Sequence, residues 1–487
     1  MLSAAKFANF VLVVAGLFCA AALLSVIYFY DLVQAKQFTS RTGLILYHAV
    51  PFVLGGLFFA SLRLGPARKV NLALLLVSSA FSLYALEFVL SRGSTAWFLR
   101  PTVSEEAIKA GVEFDARDKL EVIDDLRKHG IEAYPTGTPK ALLRSQTDGS
   151  LKSDIAFNGA EALPLGWISN KVVVFCNENG YWVTYESDER GFHNPKGIWQ
   201  GGRPDIAALG DSFGQGFCVP SEKNFVALLR GRYPATLNLS IGGNGPLLML
   251  AGIEEYLRFV RPKAVLWFFF EGNDLCDLKV ERHSPLLMRY AAGDYSQGLL
   301  EKQAEIDRVL AGYLGGVMAA VKLEKLQGVL KLRTLRQSLG LIYAEAQDGF
   351  RPHFEFYGCR DVEGAHYPDP FQAEEADLLR AVLLRARDAV GAWGGAVYFV
   401  YLPEWQRYKN PAKANPDRDR VLAIVKSAGI PLIDLHETFR AHSDPLALFP
   451  FRQQGHYNIE GHRVAAEAVL RAIRSTRVDG RGSFRTS

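Results

Sequence analysis

Four short stretches of the chain carry groups whose types and order suit nucleophilic attack on an acyl carbon. The first is Leu209-Gly210-Asp211-Ser212-Phe213-Gly214, where a serine directly follows a short apolar run. A Gly-Asp-Ser triplet alone says little, since average composition gives one by chance in roughly one chain in ten of this length. Its place after a strand-like segment is what raises its value. The second is Asn238-Leu239-Ser240-Ile241-Gly242-Gly243-Asn244-Gly245, whose glycines let backbone N–H groups come close to a reacting centre. The third is Glu271-Gly272-Asn273-Asp274. An asparagine amide aimed at a developing oxyanion is a common device, and removing one such donor costs about 10²–10³ in rate. The fourth is Gly455-His456-Tyr457-Asn458, before the last helical stretch. A histidine there can act as general base to a serine hydroxyl, which is a poor nucleophile by itself. Asp211 reads as a turn residue rather than a proton donor, His462 as a packing or surface histidine, and His193 in Gly191-Phe192-His193-Asn194 as a loop residue.

These stretches have to be held by something, and the pattern around them is an alternation of strands and helices. Asp205–Leu209, Thr236–Ile241, Ala264–Phe270, Ala396–Leu402 and Pro431–Leu435 read as strands. Lys223–Arg232, Leu247–Val260, Arg418–Ser427 and Ile459–Arg474 read as helices. Continuously apolar runs such as Ala-Val-Leu-Trp-Phe-Phe-Phe suit central parallel strands covered on both faces. The expected fold is therefore α/β, a doubly wound parallel sheet with helices on both faces. In such sheets reactive groups collect at the carboxyl ends of strands, which is where the first three stretches fall. Between about 277 and 391 the alternation lapses into helical sequence, as in Leu299–Leu314 and Val317–Leu339, and an insertion is expected. Whether it shapes a substrate groove, rests on a membrane surface or only caps the sheet stays open. Residues 96–200 are expected to form a small α+β accessory segment. It contains an amphipathic helix around Lys119–Leu126 and strands at Lys171–Cys176 and Tyr181–Tyr185, joined by the turn Asn177-Glu178-Asn179-Gly180. The domain of interest is then 201–487.

The four stretches, in this order and in this strand context, resemble the blocks that define the SGNH (GDSL) hydrolase superfamily, over roughly residues 200–475 apart from the insertion. The resemblance implies a flavodoxin-like fold that hydrolyses or transfers acyl esters. Ser212 would be the nucleophile and His456 the base. The N–H groups of Ser212 and Gly243 and the amide of Asn273 would form the oxyanion hole. One position departs from the family. The aspartate usually found two or three residues before the histidine is replaced by Gln454 and Gln453, which cannot carry the charge that stabilises an imidazolium. Asp434, at the end of the preceding strand, or Asp444 is expected to substitute. Otherwise Ser212 and His456 work as a dyad, with a backbone carbonyl holding the tautomer.

The first ninety-odd residues are different in kind. Phe7–Tyr30, Gly43–Leu62 and Asn71–Leu90 are almost unbroken apolar runs, and a hydrocarbon core of about 30 Å needs about 20 such residues in a helix. Residues 1–95 are therefore expected to form an anchor of three membrane spans. The alternative for the first run is a cleaved signal peptide ending near Val33-Gln34-Ala35, although the run is long for that. Arg63, Arg68 and Lys69 place the second loop in the cytoplasm by the positive-inside rule. The remainder then comes out on the far side of a bacterial inner membrane, in the periplasm. His48 and Glu87 inside the spans read as structural.

A net charge of +4, without a basic run, gives nucleic-acid binding little support. No C-x-x-C pair occurs among Cys19, Cys176, Cys218, Cys276 and Cys359, no metal constellation stands out, and no cofactor is expected. Cys218 and Cys276 each follow a block by a few residues, and are open to pairing or to packing as thiols. Three functions fit. The leading one is an esterase acting on an acylated (for example O-acetylated) envelope glycan or lipid. The second is an O-acyltransferase modifying an exported polysaccharide, with a membrane acyltransferase as possible partner. The third is an inactive assembly module, for which the two glutamines are the best argument.

Overall fold

The computed structural model describes residues 4–28, 41–93, 101–293, 295–338, 371–478 and 484–486. The cleavage-site candidate at Val33-Gln34-Ala35, Cys359 and part 339–370 of the insertion lie outside the described residues. The chain divides into two compact units. One gathers the residues up to 93 with 326–338, and the other holds the rest.

In the first unit, helices α1 (Ala4–Val26), α2 (Arg41–Ser61) and α3 (Pro66–Gly93) lie against one another. Small residues allow the close approach between α1 and α2. A Cβ on Gly16 would fall 2.9 Å from the Phe59 ring, and one on Gly55 would fall 3.3 Å from Cys19 Cβ. Two helices, Ala4–Val26 and Pro66–Leu90, are long and apolar enough to cross a membrane; the apolar described stretch of α2 is the shorter His48–Ser61. Their large side chains point outward, with Phe18 73% and Phe81 74% exposed. A core helix of a soluble domain would bury such groups. Glu87 is buried and accepts hydrogen bonds from the N–H groups of Thr334 (3.0 Å) and Leu335 (2.7 Å), while the Tyr84 hydroxyl donates to the Leu330 carbonyl (2.9 Å). The acidic residue near the end of α3 thus caps a short turn of helix, a structural role.

In the second unit, β1 (Ala133–Pro135), β2 (Val172–Val174) and β3 (Thr184–Glu186) form the accessory sheet. The hairpin β2–β3 pairs Val172 with Glu186 and Val174 with Thr184. Strands β4 (Ile206–Leu209), β5 (Thr236–Asn238), β6 (Ala264–Phe270), β7 (Ala396–Leu402) and β8 (Leu432–Asp434) form the main sheet, in the order β8-β7-β6-β4-β5. All pairs are parallel, with Ala264 opposite both Ile206 and Ala396. This is the flavodoxin-like order, in which the strand order reverses between β4 and β6. β6 is central and buried almost end to end, as its unbroken apolar sequence requires. The insertion is helical where described, chiefly α5 (Asp274–Glu281) and α6 (Gln303–Leu330).

The accessory segment is not a separate body. A single apolar core runs from Leu120, Tyr134, Leu142, Trp167 and Phe175 through Leu209 and Trp267 to Val421. Its short strands present too few apolar residues to close a core of their own, so they share that of the main sheet.

Candidate active site

Ser212 opens α4 (Ser212–Gln215), a single turn entered directly from β4. Asp211 caps this turn through Oδ1, which accepts from the Phe213 N–H at 2.9 Å. The turn is too tight for larger residues, since a Cβ on Gly214 would lie 2.4 Å from Ser240 Oγ. Ser212 is thereby presented at the carboxyl end of β4, at the switch point of the sheet.

His456 reaches this position from the loop before the last helix, α7 (Ile459–Ser475). Its Nε2 lies 2.8 Å from Ser212 Oγ, and its ring packs against Phe213 and Phe217 with centroids 4.8 Å apart in each case. On the far side of the ring sits a carboxylate that sequence reasoning missed. Glu178 Oε1 is 2.9 Å from His456 Nδ1, and Glu178 Oε2 accepts the His456 backbone N–H at 2.9 Å. With Nδ1 donating to Glu178, Nε2 carries the lone pair that can accept the serine proton. Side chains of His456 and Glu178 remain 20% and 23% exposed, so a substrate can reach the pair.

Asp434 does not take this place. It is paired with Arg418 and caps the following helix by accepting the His436 N–H at 3.0 Å. Asp444 is paired with Arg452. In the loop before His456, Phe451 and Arg452 both adopt left-handed backbone (φ 49° and 61°), and Gln453 and Gln454 offer no carboxylate. The acid comes instead from the tip of the β2–β3 hairpin. Two asparagines tie that tip down, with Asn177 Nδ2 donating to the Asp115 carbonyl and Asn179 Nδ2 to the Cys218 carbonyl, each at 2.7 Å. A disulfide between Cys176 and Cys218 ties it as well, so Cys218 pairs with Cys176 rather than with Cys276. The available signal was an acidic residue in a turn two positions after a cysteine, with a second cysteine six positions after the serine.

Gly455 is what lets Glu178 approach. A Cβ there would lie 2.9 Å from Glu178 Oε2. Gly455→Ala is expected to push the carboxylate off His456 and lower kcat by about 10²-fold, the scale of a 1 Å misplacement. KM should be little changed, and equal kcat for the variant and wild type would overturn the assignment of that contact.

The three residues expected to donate to an oxyanion lie near the Ser212 turn, with a Cβ on Gly242 falling 3.7 Å from Ser212 Cβ and Asn273 bonded to Asp211. Gly243 is left-handed (φ 77°) and lies over Thr138. Among the described residues, the N–H groups of Ser212 and Gly243 have no acceptor. Asn273 Nδ2 donates one hydrogen to Asp211 Oδ2 at 3.2 Å, and the amide has a second to offer. Burial lifts Asp211 to about 6 against the opposing bonds from Phe213 and Asn273. The glycine loop is pinned on both sides. Gln215 Oε1 accepts from the Gly242 N–H (2.8 Å), and Glu281 accepts from Gly245 (2.6 Å) and Leu247 (2.8 Å). Beneath it the buried Lys140, from the accessory segment, pairs with Asp277.

Glu281 is pushed up to about 8, chiefly by burial, from an ordinary value of 4.5. The folded chain therefore keeps a proton that the unfolded chain has released. The resulting stability is fully present below about pH 4.5 and is lost as pH rises through about 8. The Tm of the wild type should fall between pH 5 and 9 more steeply than that of Glu281→Gln. Parallel slopes in a thermal-melt series would contradict this.

The two further histidines that the sequence brings forward, His193 and His462, are structural. His193 is buried, with Nδ1 2.8 Å from the Gln215 carbonyl and Nε2 2.8 Å from Ser221 Oγ, and burial lowers it to about 4. His462 is buried under Phe225 and accepts its N–H through Nδ1 at 3.2 Å. Glu178, Cys218 and His456 have donor atoms close enough together to suggest a metal site. The cysteine sulfur is in a disulfide and both ring nitrogens are engaged, so these residues do not fit an ion.

No family model and no curated protein matches the chain. Several solved structures do. A lipolytic protein of G-D-S-L family from Desulfitobacterium hafniense DCB-2 is 12% identical, with 55% of this chain and 97% of that one covered, at a TM-score of 0.27. A structure of TesA is 13% identical over 55% and 97%, at 0.28. An acetyl xylan esterase, AlAXEase, is 12% identical over 55% and 99%, at 0.29.

Proposed function

We propose that this chain is a membrane-anchored serine esterase of the SGNH (GDSL) type. The reading is carried by one observation, the hydrogen-bonded series Ser212–His456–Glu178. Ser212 Oγ attacks the acyl carbon while His456 Nε2 takes its proton, and Glu178 stabilises the imidazolium so formed. The negative oxygen of the tetrahedral intermediate is held by the N–H groups of Ser212 and Gly243 and by the Asn273 amide. Collapse breaks the ester C–O bond, and His456 returns the proton to the leaving alcohol. A water, deprotonated by the same ring, then releases the acid and regenerates Ser212. The inactive-module reading rested on a missing acid, and Glu178 removes that ground.

The substrate assigned here is an acyl ester, such as an acetyl group, on a cell-envelope glycan or lipid. Three apolar helices would hold the catalytic unit at the outer face of a bacterial inner membrane, where such polymers lie. Replacing water by a sugar hydroxyl in the second step would make the same site an O-acyltransferase.

Full-length protein in detergent is the material for the test. A fluorophosphonate should add to Ser212, seen by intact mass and peptide mapping. An activated short-chain ester should give a burst of one alcohol per active site. Folded protein with neither adduct nor turnover would sink the serine-enzyme reading. Adding oligosaccharide acceptors then separates the two second steps, since a transferase forms acylated sugar at the expense of free acid.

A further inference from the structure

The acid of the series is held in an unusual way, and this carries an inference that rests on the serine-enzyme reading above. Glu178 sits on a hairpin tip of the accessory sheet, while Ser212 and His456 belong to the main sheet and its last helix. Hydrogen bonding within the main sheet does nothing to fix the distance between them. The covalent link that does is Cys176–Cys218, which joins the residue two before Glu178 to the segment leaving the Ser212 turn and closes a sequence separation of 42. Both cysteines are buried. Cys218 is held in left-handed backbone (φ 62°), a conformation that a non-glycine residue adopts only when its surroundings impose it. From there its carbonyl accepts the Asn179 side chain, on the other side of Glu178. The hairpin tip is thus fixed to the nucleophile segment immediately before and immediately after the acid.

We propose that the Cys176–Cys218 disulfide is a positioning element for Glu178, which makes the site fully active only when that bond is oxidised. Reduction takes two electrons from a thiol or phosphine reductant, the two protons coming from the thiols or, with a phosphine, from water. The S–S bond breaks, two thiols form, and the reductant is oxidised to its disulfide or, with water supplying the oxygen, its phosphine oxide. The hairpin tip then relaxes, Glu178 leaves His456, and the ring loses the partner that fixes its tautomer. Ser212, Gly243 and Asn273 are carried by the strand ends of the main sheet, so kcat is expected to fall much more than KM rises. An oxidising, extracytoplasmic compartment would keep the bond closed.

The discriminating experiment is a double-mutant cycle on the full-length protein in detergent. Cys176→Ala/Cys218→Ala is made in the wild-type and in the Glu178→Gln background, with turnover of an activated ester measured well below each melting temperature. A link acting through Glu178 lowers wild-type kcat by about 30- to 1,000-fold, yet changes the Glu178→Gln enzyme by less than about threefold. Equal losses in both backgrounds, or none in the wild type, would overturn the proposal and leave only a structural disulfide. If the alanine pair does not fold, native wild-type and Glu178→Gln proteins are reduced with a phosphine and alkylated, with opening of Cys176–Cys218 followed by peptide mass. The same asymmetry is expected, and its absence is decisive against the link. Wild-type protein without Ser212-dependent turnover fails earlier and removes both readings together.

Discussion

Ser212→Ala is expected to lower kcat on an activated ester by about 10⁴- to 10⁶-fold, the loss seen when a serine nucleophile is removed from an assembled triad. The residual rate comes from the oxyanion donors and from substrate binding, which the substitution leaves in place. Ser212 is half-buried and, among the described residues, its hydroxyl bonds to His456 Nε2 alone, so alanine removes one hydrogen bond and little packing. Stability should change by under about 1 kcal/mol. That separation makes the result interpretable, because a variant that melts like the wild type and does not turn over has lost chemistry and not structure. Turnover within tenfold of the wild type would place the nucleophile elsewhere. Ser221, bonded to His193, is the first residue to examine in that case.

Glu178→Gln is expected to cost about 10⁴-fold in kcat at neutral pH, for a reason specific to this geometry. Both carboxylate oxygens accept from His456, one from the ring Nδ1 and the other from the backbone N–H. A glutamine has only one acceptor oxygen. If its NH₂ faces the ring, Nδ1 must accept, the proton moves to Nε2, and the ring can no longer take the serine proton. If the NH₂ faces the backbone, two donors oppose each other and the side chain is pushed away. Glu178→Asp keeps the charge but falls short by one methylene, so it should lie between wild type and glutamine. The order Glu, Asp, Gln in kcat, with KM nearly constant, is the expected outcome. Full activity in Glu178→Gln would mean that Ser212 and His456 act as a dyad.

Most of the main sheet was legible because each strand is written in local pattern. Ala264–Phe270 and Ala396–Leu402 are apolar without interruption, and they occupy those residues in the structure. The residues that meet at the sheet's carboxyl end were legible for the same reason. Ser212, Gly243 and Asn273 each follow a strand directly, so a parallel sheet brings them to one edge wherever the chain goes between. His456 was legible from its place before an amphipathic last helix. Strand ends were less so, since Thr236–Ile241 pairs only over Thr236–Asn238 before the glycine loop turns away.

The acid was not legible, and neither was what holds it. Glu178 lies 278 positions from His456 and belongs to a hairpin whose own pattern speaks only of a turn. Asp434 ends a strand as a catalytic carboxylate should, but the next helix and Arg418 claim it. Whether Cys218 would bond to Cys176 or lie beside Cys276 depends on how the accessory sheet docks, and no periodicity records that. By itself the sequence determined which groups lie at that edge, Ser212, Gly243 and Asn273, because strand direction is a local property. Only the tertiary structure decided which carboxylate completes it, because two sheets sharing one core bring together residues that no local pattern relates.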